Sequence, residues 1–153
     1  MQIALFGTPF SEKFTKYIQH LVNRLESENT TMLIYEDYLS FLKGKIKFQN
    51  PPEVFNSHES LKQNTDFLFS IGGDGTLLKA VTLVRDSNIP VLGINAGRLG
   101  FISSVSADQL EIAINDVLKN KYEIKKRTLL CLETENKLFG NVNYALNEVA
   151  VVK

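Results

Sequence analysis

Gly72-Gly73-Asp74-Gly75-Thr76 sets three glycines around one carboxylate, the densest chemical signal in the chain. Glycine lets a backbone take positive φ angles and approach a ligand closely, which exposes amide N–H groups to phosphate oxygens. A helix beginning after the stretch adds the positive end of its dipole. Asp74 beside bound phosphate can hold a cation or accept a hydroxyl proton. The plainer reading is a tight strand-to-helix turn with Asp74 as its N-cap, which leaves so many adjacent glycines unexplained.

A second glycine-punctuated stretch runs Gly93-Ile94-Asn95-Ala96-Gly97-Arg98-Leu99-Gly100-Phe101. Its glycine spacing is not that of the G-x-G-x-x-G dinucleotide fingerprint. It follows an apolar segment, so it belongs at a strand's carboxyl end, lining the same crevice as Asp74, unless its glycines only turn the chain. Phe101 is either a base-stacking ring or an ordinary core residue. The third feature is Asn147-Glu148 within Ala145-Leu146-Asn147-Glu148-Val149-Ala150-Val151-Val152. Polar residues in so apolar a strand need partners. Ribose hydroxyls would serve, and so would water at an edge strand.

Other chemistries lack their residues. His20 and His58 are far apart in sequence and Cys131 is the single cysteine, so zinc-type ligand spacing is absent. His20 shares a helical face with Lys16 and Arg24 and is expected in solvent. Ser103 and Ser104 lack a G-x-S-x-G elbow, and no G-x-x-x-x-G-K-[ST] occurs. Seventeen basic and 17 acidic side chains cancel, which leaves no field to gather nucleic acid or an anionic membrane. The local run Lys119, Lys121, Lys125, Lys126 and Arg127 includes Glu123 and reads as a solvated face. No apolar run approaches the roughly 18 residues of a bilayer span, and the start lacks the basic region of a signal peptide. One cysteine suits a reducing cytoplasm.

These residues need a scaffold. Leu, Ile, Val and Phe fill about a third of the 153 residues, above the roughly 20% below which chains stay disordered. Buried strands are expected at 2–6, 32–35, 66–71 and 89–94. Helices are expected after Ser11 through Phe14, Ile18, Leu21, Val22 and Leu25, briefly at 36–44, and over 77–85 and 107–119. Residues 45–64, with Pro51 and Pro52, read as a loop. Alternating strands and helices predict an α/β fold, a parallel sheet with helices on both faces, over residues 1–121. Beyond 121 the texture becomes strand-like at 122–134 and 142–152, the start of a β-rich second domain over 122–153. Two strands alone are marginal in water.

Taken in order, Gly72-Gly73-Asp74-Gly75-Thr76, Asn95-Ala96-Gly97-Arg98-Leu99-Gly100-Phe101 and Asn147-Glu148 resemble the NAD kinase family, which phosphorylates NAD to NADP. The first motif is shared with diacylglycerol-type lipid kinases and phosphofructokinases. Lipid kinases usually continue it with an Asn-Glu pair, whereas Leu77-Leu78-Lys79 follows here, which favours the NAD kinase branch. The alternatives are a lipid or sugar kinase and a non-catalytic nucleotide-binding module. The resemblance implies that Asp74 takes the proton from the adenosine 2′-hydroxyl of NAD, with Gly72, Gly73, Gly75 and Thr76 at the ligand. It also implies that Lys79 reaches that ligand, that Asn95 and Gly97 line the crevice, that Phe101 packs near adenine, and that Asn147 and Glu148 bind ribose. ATP and a divalent metal, expected to be Mg2+, would supply the phosphoryl group, with no metal ligand assigned to the chain. A cytoplasmic homo-oligomer is implied as well. Family members continue into a β domain with a further Gly/Ser/Thr-rich motif, so the chain resembles their amino-terminal half.

Overall fold

The computed structural model describes all residues except Arg98, Leu99, Ser103, Ser104, Lys137, Asn141, Asn147 and 149–153. Its centre is a five-stranded sheet formed by β1 (Gln2–Gly7), β2 (Thr31–Tyr35), β3 (Glu53–Phe55), β4 (Phe67–Gly72) and β5 (Val91–Asn95). The spatial order is β3-β2-β1-β4-β5 and every pairing is parallel. A parallel sheet must be covered on both faces, which is why its inner strands read as continuous apolar runs.

The helices are α1 (Thr15–Ser27), α2 (Glu36–Leu42), α3 (His58–Leu61), α4 (Asp74–Val84) and α5 (Leu110–Leu118). On one face Ile18, Leu21 and Leu25 of α1, Tyr38 and Leu42 of α2, and Ile114 and Val117 of α5 pack against Ile3, Leu5, Ile34, Phe69, Ile71 and Ile94. On the other, Leu61 of α3 with Ala80 and Val84 of α4 cover Ala4, Phe6, Leu33 and Leu68. The expected parallel α/β architecture with helices on both faces is therefore present. Strand order reverses between β1 and β4, and the crevice outside their carboxyl ends is where such sheets take ligands.

Three expectations need correction. Residues 45–64 are not wholly loop, since β3 pairs with β2 and α3 follows. The strand is a three-residue edge whose Val54 is half exposed, so it carries no alternating pattern. The helix is nucleated by Ser57, whose hydroxyl accepts from the Ser60 amide at 3.3 Å in a capping box. The helix after the glycine stretch begins at Asp74 rather than at 77, because glycine in a first turn is tolerated. Finally, residues 122–129 form no strand. Beyond 121 the described ladder is β6 (Leu130–Cys131) antiparallel to β7 (Tyr144–Ala145), and a segment becomes strand only where a partner takes up its backbone groups. The rest of the expected 142–152 strand falls largely outside the described residues.

Candidate active site

At the carboxyl end of β4 the backbone of Gly72 takes φ +156°, a value that L side chains rarely adopt. A Cβ there would stand 2.7 Å from Cβ of Thr76 and 2.8 Å from the hydroxyl of Thr8. Thr8 follows β1, its amide donates to the Ile71 carbonyl at 3.2 Å, and its hydroxyl lies 2.8 Å from that of Thr76. This hydrogen bond ties the two strand ends across the switch point. It also uses the Thr76 side chain, which is buried. Thr76 therefore has a structural task at the strand-helix junction.

Gly73 is the N-cap of α4, in extended conformation with φ −102°. Its carbonyl accepts the amides of Thr76 at 2.9 Å and Leu77 at 3.2 Å. The cap is thus a backbone one, and Asp74 is the first helical residue rather than the cap. A Cβ at Gly73, Gly75 or Gly97 would meet nothing within 4 Å. Gly73 and Gly75 flank Asp74 at the helix's amino end, where the amides ahead of Thr76 have no carbonyl one turn earlier to bond. Lys79 is exposed one turn beyond Gly75.

The second stretch leaves β5 next to this turn. Gly72 pairs with Asn95 in the sheet, and the Ala96 amide donates to the Gly72 carbonyl at 3.1 Å. Asn95 is buried and its Oδ1 accepts the Gly97 amide at 2.8 Å. The chain returns beside β5 at Val105, whose carbonyl accepts the Asn95 amide at 2.8 Å. Between these points the Asp74 carboxylate accepts the Phe101 amide on Oδ2 at 2.7 Å and the Ile102 amide on Oδ1 at 3.1 Å. A Cβ on Gly100 would lie 2.5 Å from Asp74 Cγ, so glycine is what lets the turn close over the carboxylate. The Phe101 side chain is fully exposed, which removes the core reading. A depression of 220 Å³ opens beside this stretch, lined by Phe14, Asn95, Ala96, Gly97, Ser106 and neighbouring residues.

Gly72, Gly73, Asp74, Gly75, Asn95, Gly97 and Phe101 thus converge at one sheet edge, as their spacing predicts. Glu148 is exposed, and Asn147 lies outside the described residues. Sequence reading missed Gly7, Thr8 and the role of Gly100. The signal at Gly7 was its place at the end of the first buried strand: a Cβ there would come within 2.5 Å of the Tyr38 ring. Burial pushes the Tyr38 phenol far above its ordinary range. His20 is exposed as expected, and it also meets Glu111 of α5. Among the described residues no three His, Cys, Asp or Glu side chains gather as metal ligands, and no helix is long and apolar enough to cross a membrane.

Residues 9–122 match the family model described as the ATP-NAD kinase N-terminal domain. A relative named NAD kinase from Flavobacterium psychrophilum is 40% identical over 153 residues, 99% of this chain and 52% of its own length. Another of that name from Cytophaga hutchinsonii is 38% identical over 154 residues, covering 100% of this chain and 52% of the relative. The chain thus spans about half the length of the curated relatives it matches. The fold is similar to that in the crystal structure of yeast NADH kinase complexed with NADH. The TM-score is 0.69 at 20% identity, over 86% of this chain and 41% of that one.

Proposed function

The chain belongs to the ATP-NAD kinase family, whose N-terminal domain it carries, and we propose that the full-length protein transfers the terminal phosphoryl group of ATP to the adenosine 2′-hydroxyl of NAD. The observation that carries the reading is the Asp74 carboxylate standing between Gly73 and Gly75, whose missing side chains the fold itself does not require. Open space beside first-turn amides is what a phosphate-bearing ligand needs for close approach.

Asp74 receives the acceptor hydroxyl and its proton, as a carboxylate at the reacting oxygen can. The amides at Gly73 and Gly75 meet phosphate oxygens, Lys79 adds positive charge, and the exposed Phe101 ring packs on adenine. Asn95 and Gly97 shape the opposite wall. Asn147 and Glu148 bind ribose hydroxyls. A divalent ion carried by the nucleotide phosphates would offset charge on the transferring group. We further propose a domain boundary near 121, a cytoplasmic location and assembly as a homo-oligomer.

The test is a panel on the full-length protein: NAD, NADH, diacylglycerol and fructose 6-phosphate, each with ATP and magnesium. NADP or NADPH formation supports the reading. Turnover of the lipid or the sugar alone moves the protein to another kinase class, and NAD binding without turnover makes it a nucleotide-binding module.

A further inference from the structure

The two hydrogen bonds between Asp74 and the turn at 100–102 give the carboxylate a second task. The structure assigns Asp74 a positioning role in addition to the catalytic one: it anchors the turn that presents Phe101, with Gly100 as the residue that permits the contact. This deepens the kinase reading and rests on it for the ligand. The anchoring itself stands on geometry.

Phe101 is fully exposed, so no packing of its ring fixes the turn. What the described residues provide is its amide and that of Ile102, each on a different oxygen of one carboxylate, at 2.7 and 3.1 Å. Amide bonds to an ionised carboxylate are the stronger class of hydrogen bond. Gly100 lies so close that a methyl group would overlap the carboxylate. Asp74 in turn is held by α4, whose first turn is fixed by the Gly73 carbonyl and by the Thr8–Thr76 bond. A rigid strand-helix junction thereby bears on the position of an exposed ring through the Asp74 side chain. The acceptor hydroxyl and the adenine belong to the same adenosine, so the group at the hydroxyl also sets the height of the surface under the base.

Two variants separate anchoring from chemistry. In Asp74→Asn an amide NH2 replaces one oxygen and faces a backbone N–H, two donors in opposition, so at least one of the two bonds is lost. In Gly100→Ala the carboxylate is retained but driven off its amides. Hydrogen exchange at the Phe101 and Ile102 amides is measured on the ligand-free full-length protein, NAD affinity by calorimetry, and kcat and KM separately. Protection at 101 and 102 is expected in the wild type and should fall about tenfold or more in both variants, with NAD affinity weakened about tenfold. Asp74→Asn should lower kcat as well, whereas Gly100→Ala should act mainly on KM. Cooperative melting confirms that each variant is folded.

Unprotected amides in the wild type would overturn the anchor. So would NAD binding within twofold of wild type in both folded variants, which would confine Asp74 to the chemical step and leave the kinase reading intact. A wild type that makes no NADP would defeat the kinase reading instead, and amide protection would then decide the anchor alone.

Discussion

The two lips of the crevice are built differently. The β4–α4 lip is fixed by its own packing: Gly72 is enclosed by Thr8 and Thr76 through a partly buried contact, and α4 is sewn to the sheet through the buried Ala80 and Val84. The lip from Asn95 to Val105 rests on the sheet at both ends. Between them the exposed Phe101 and Ile102 are tied across the crevice to Asp74. One lip is thus given by the fold, and the described middle of the other is held to it through the Asp74 carboxylate. The same division separates glycines that look alike in sequence. Gly72 and Gly100 answer to neighbouring protein atoms, whereas Gly73, Gly75 and Gly97 face open space.

Gly72→Ala should strike the rigid lip hardest. The positive φ and the overlap with Thr76 and Thr8 together cost roughly 2–4 kcal/mol, and a lower melting temperature is the expected readout. An alanine variant as stable as wild type would show that this lip yields after all. Gly73→Val should do the reverse. It weakens the cap by about 1 kcal/mol yet remains folded, while its side chain keeps phosphate from the first-turn amides and lowers kcat/KM about 10²-fold. Near-normal turnover would remove the close approach at Gly73 from the mechanism.

Gly75→Ala gives a smaller effect of opposite sign. In a first turn with open space around it, alanine should raise stability by about 0.5–1 kcal/mol and at the same time weaken nucleotide binding. Glycine would then stand at 75 for the ligand and against the helix. A variant both more stable and equally active would mean that position 75 serves neither lip.

The contrast between the lips also explains what could be read in advance. Inner strands such as Phe67–Gly72 were legible because burial on both faces demands an unbroken apolar run. The spacing of Ile18, Leu21, Val22 and Leu25 gave α1 in the same way. Convergence of Asp74 with Asn95 and Phe101 followed from the rule that strand ends share an edge. The partners of Asp74 did not, because a side chain meeting two amides on another loop leaves no local pattern. The structural task of Thr76 was hidden for a related reason: motif position suggests a ligand, and only the fold brings the Thr8 hydroxyl against it. β3 and the expected strand at 122–129 fail in opposite directions. Three residues at an edge pair without an alternating signature, whereas the scattered apolar residues Tyr122, Ile124 and Leu129 form no ladder among the described residues.

The smallest predicted effect concerns the support behind the second lip. Glu111 on α5 meets His20 on α1, accepts from Asn115 Nδ2 at 3.1 Å and lies 3.7 Å from Nε of Arg24. The hydrogen bond from His20, then the nearby charges and the Asn115 bond, hold the Glu111 carboxyl below its ordinary value of 4.5. A carboxyl depressed in the folded state adds stability above its unfolded pKa and loses it as pH falls through the folded one. Both side chains of the His20 pair are about half exposed, so solvent screening limits the contribution to less than about 1 kcal/mol. Comparison of thermal melting for wild type and Glu111→Gln should therefore give a small gap near neutrality that narrows as pH drops below 4.5 and shrinks in high salt. A gap independent of pH would mean that the clamp acts by packing. In either case Phe101 amide protection should be unchanged in Glu111→Gln, because the lip depends on Asp74 in front of it. Loss of that protection in Glu111→Gln would shift the anchor from the carboxylate to the helix behind and erase the difference between the two lips.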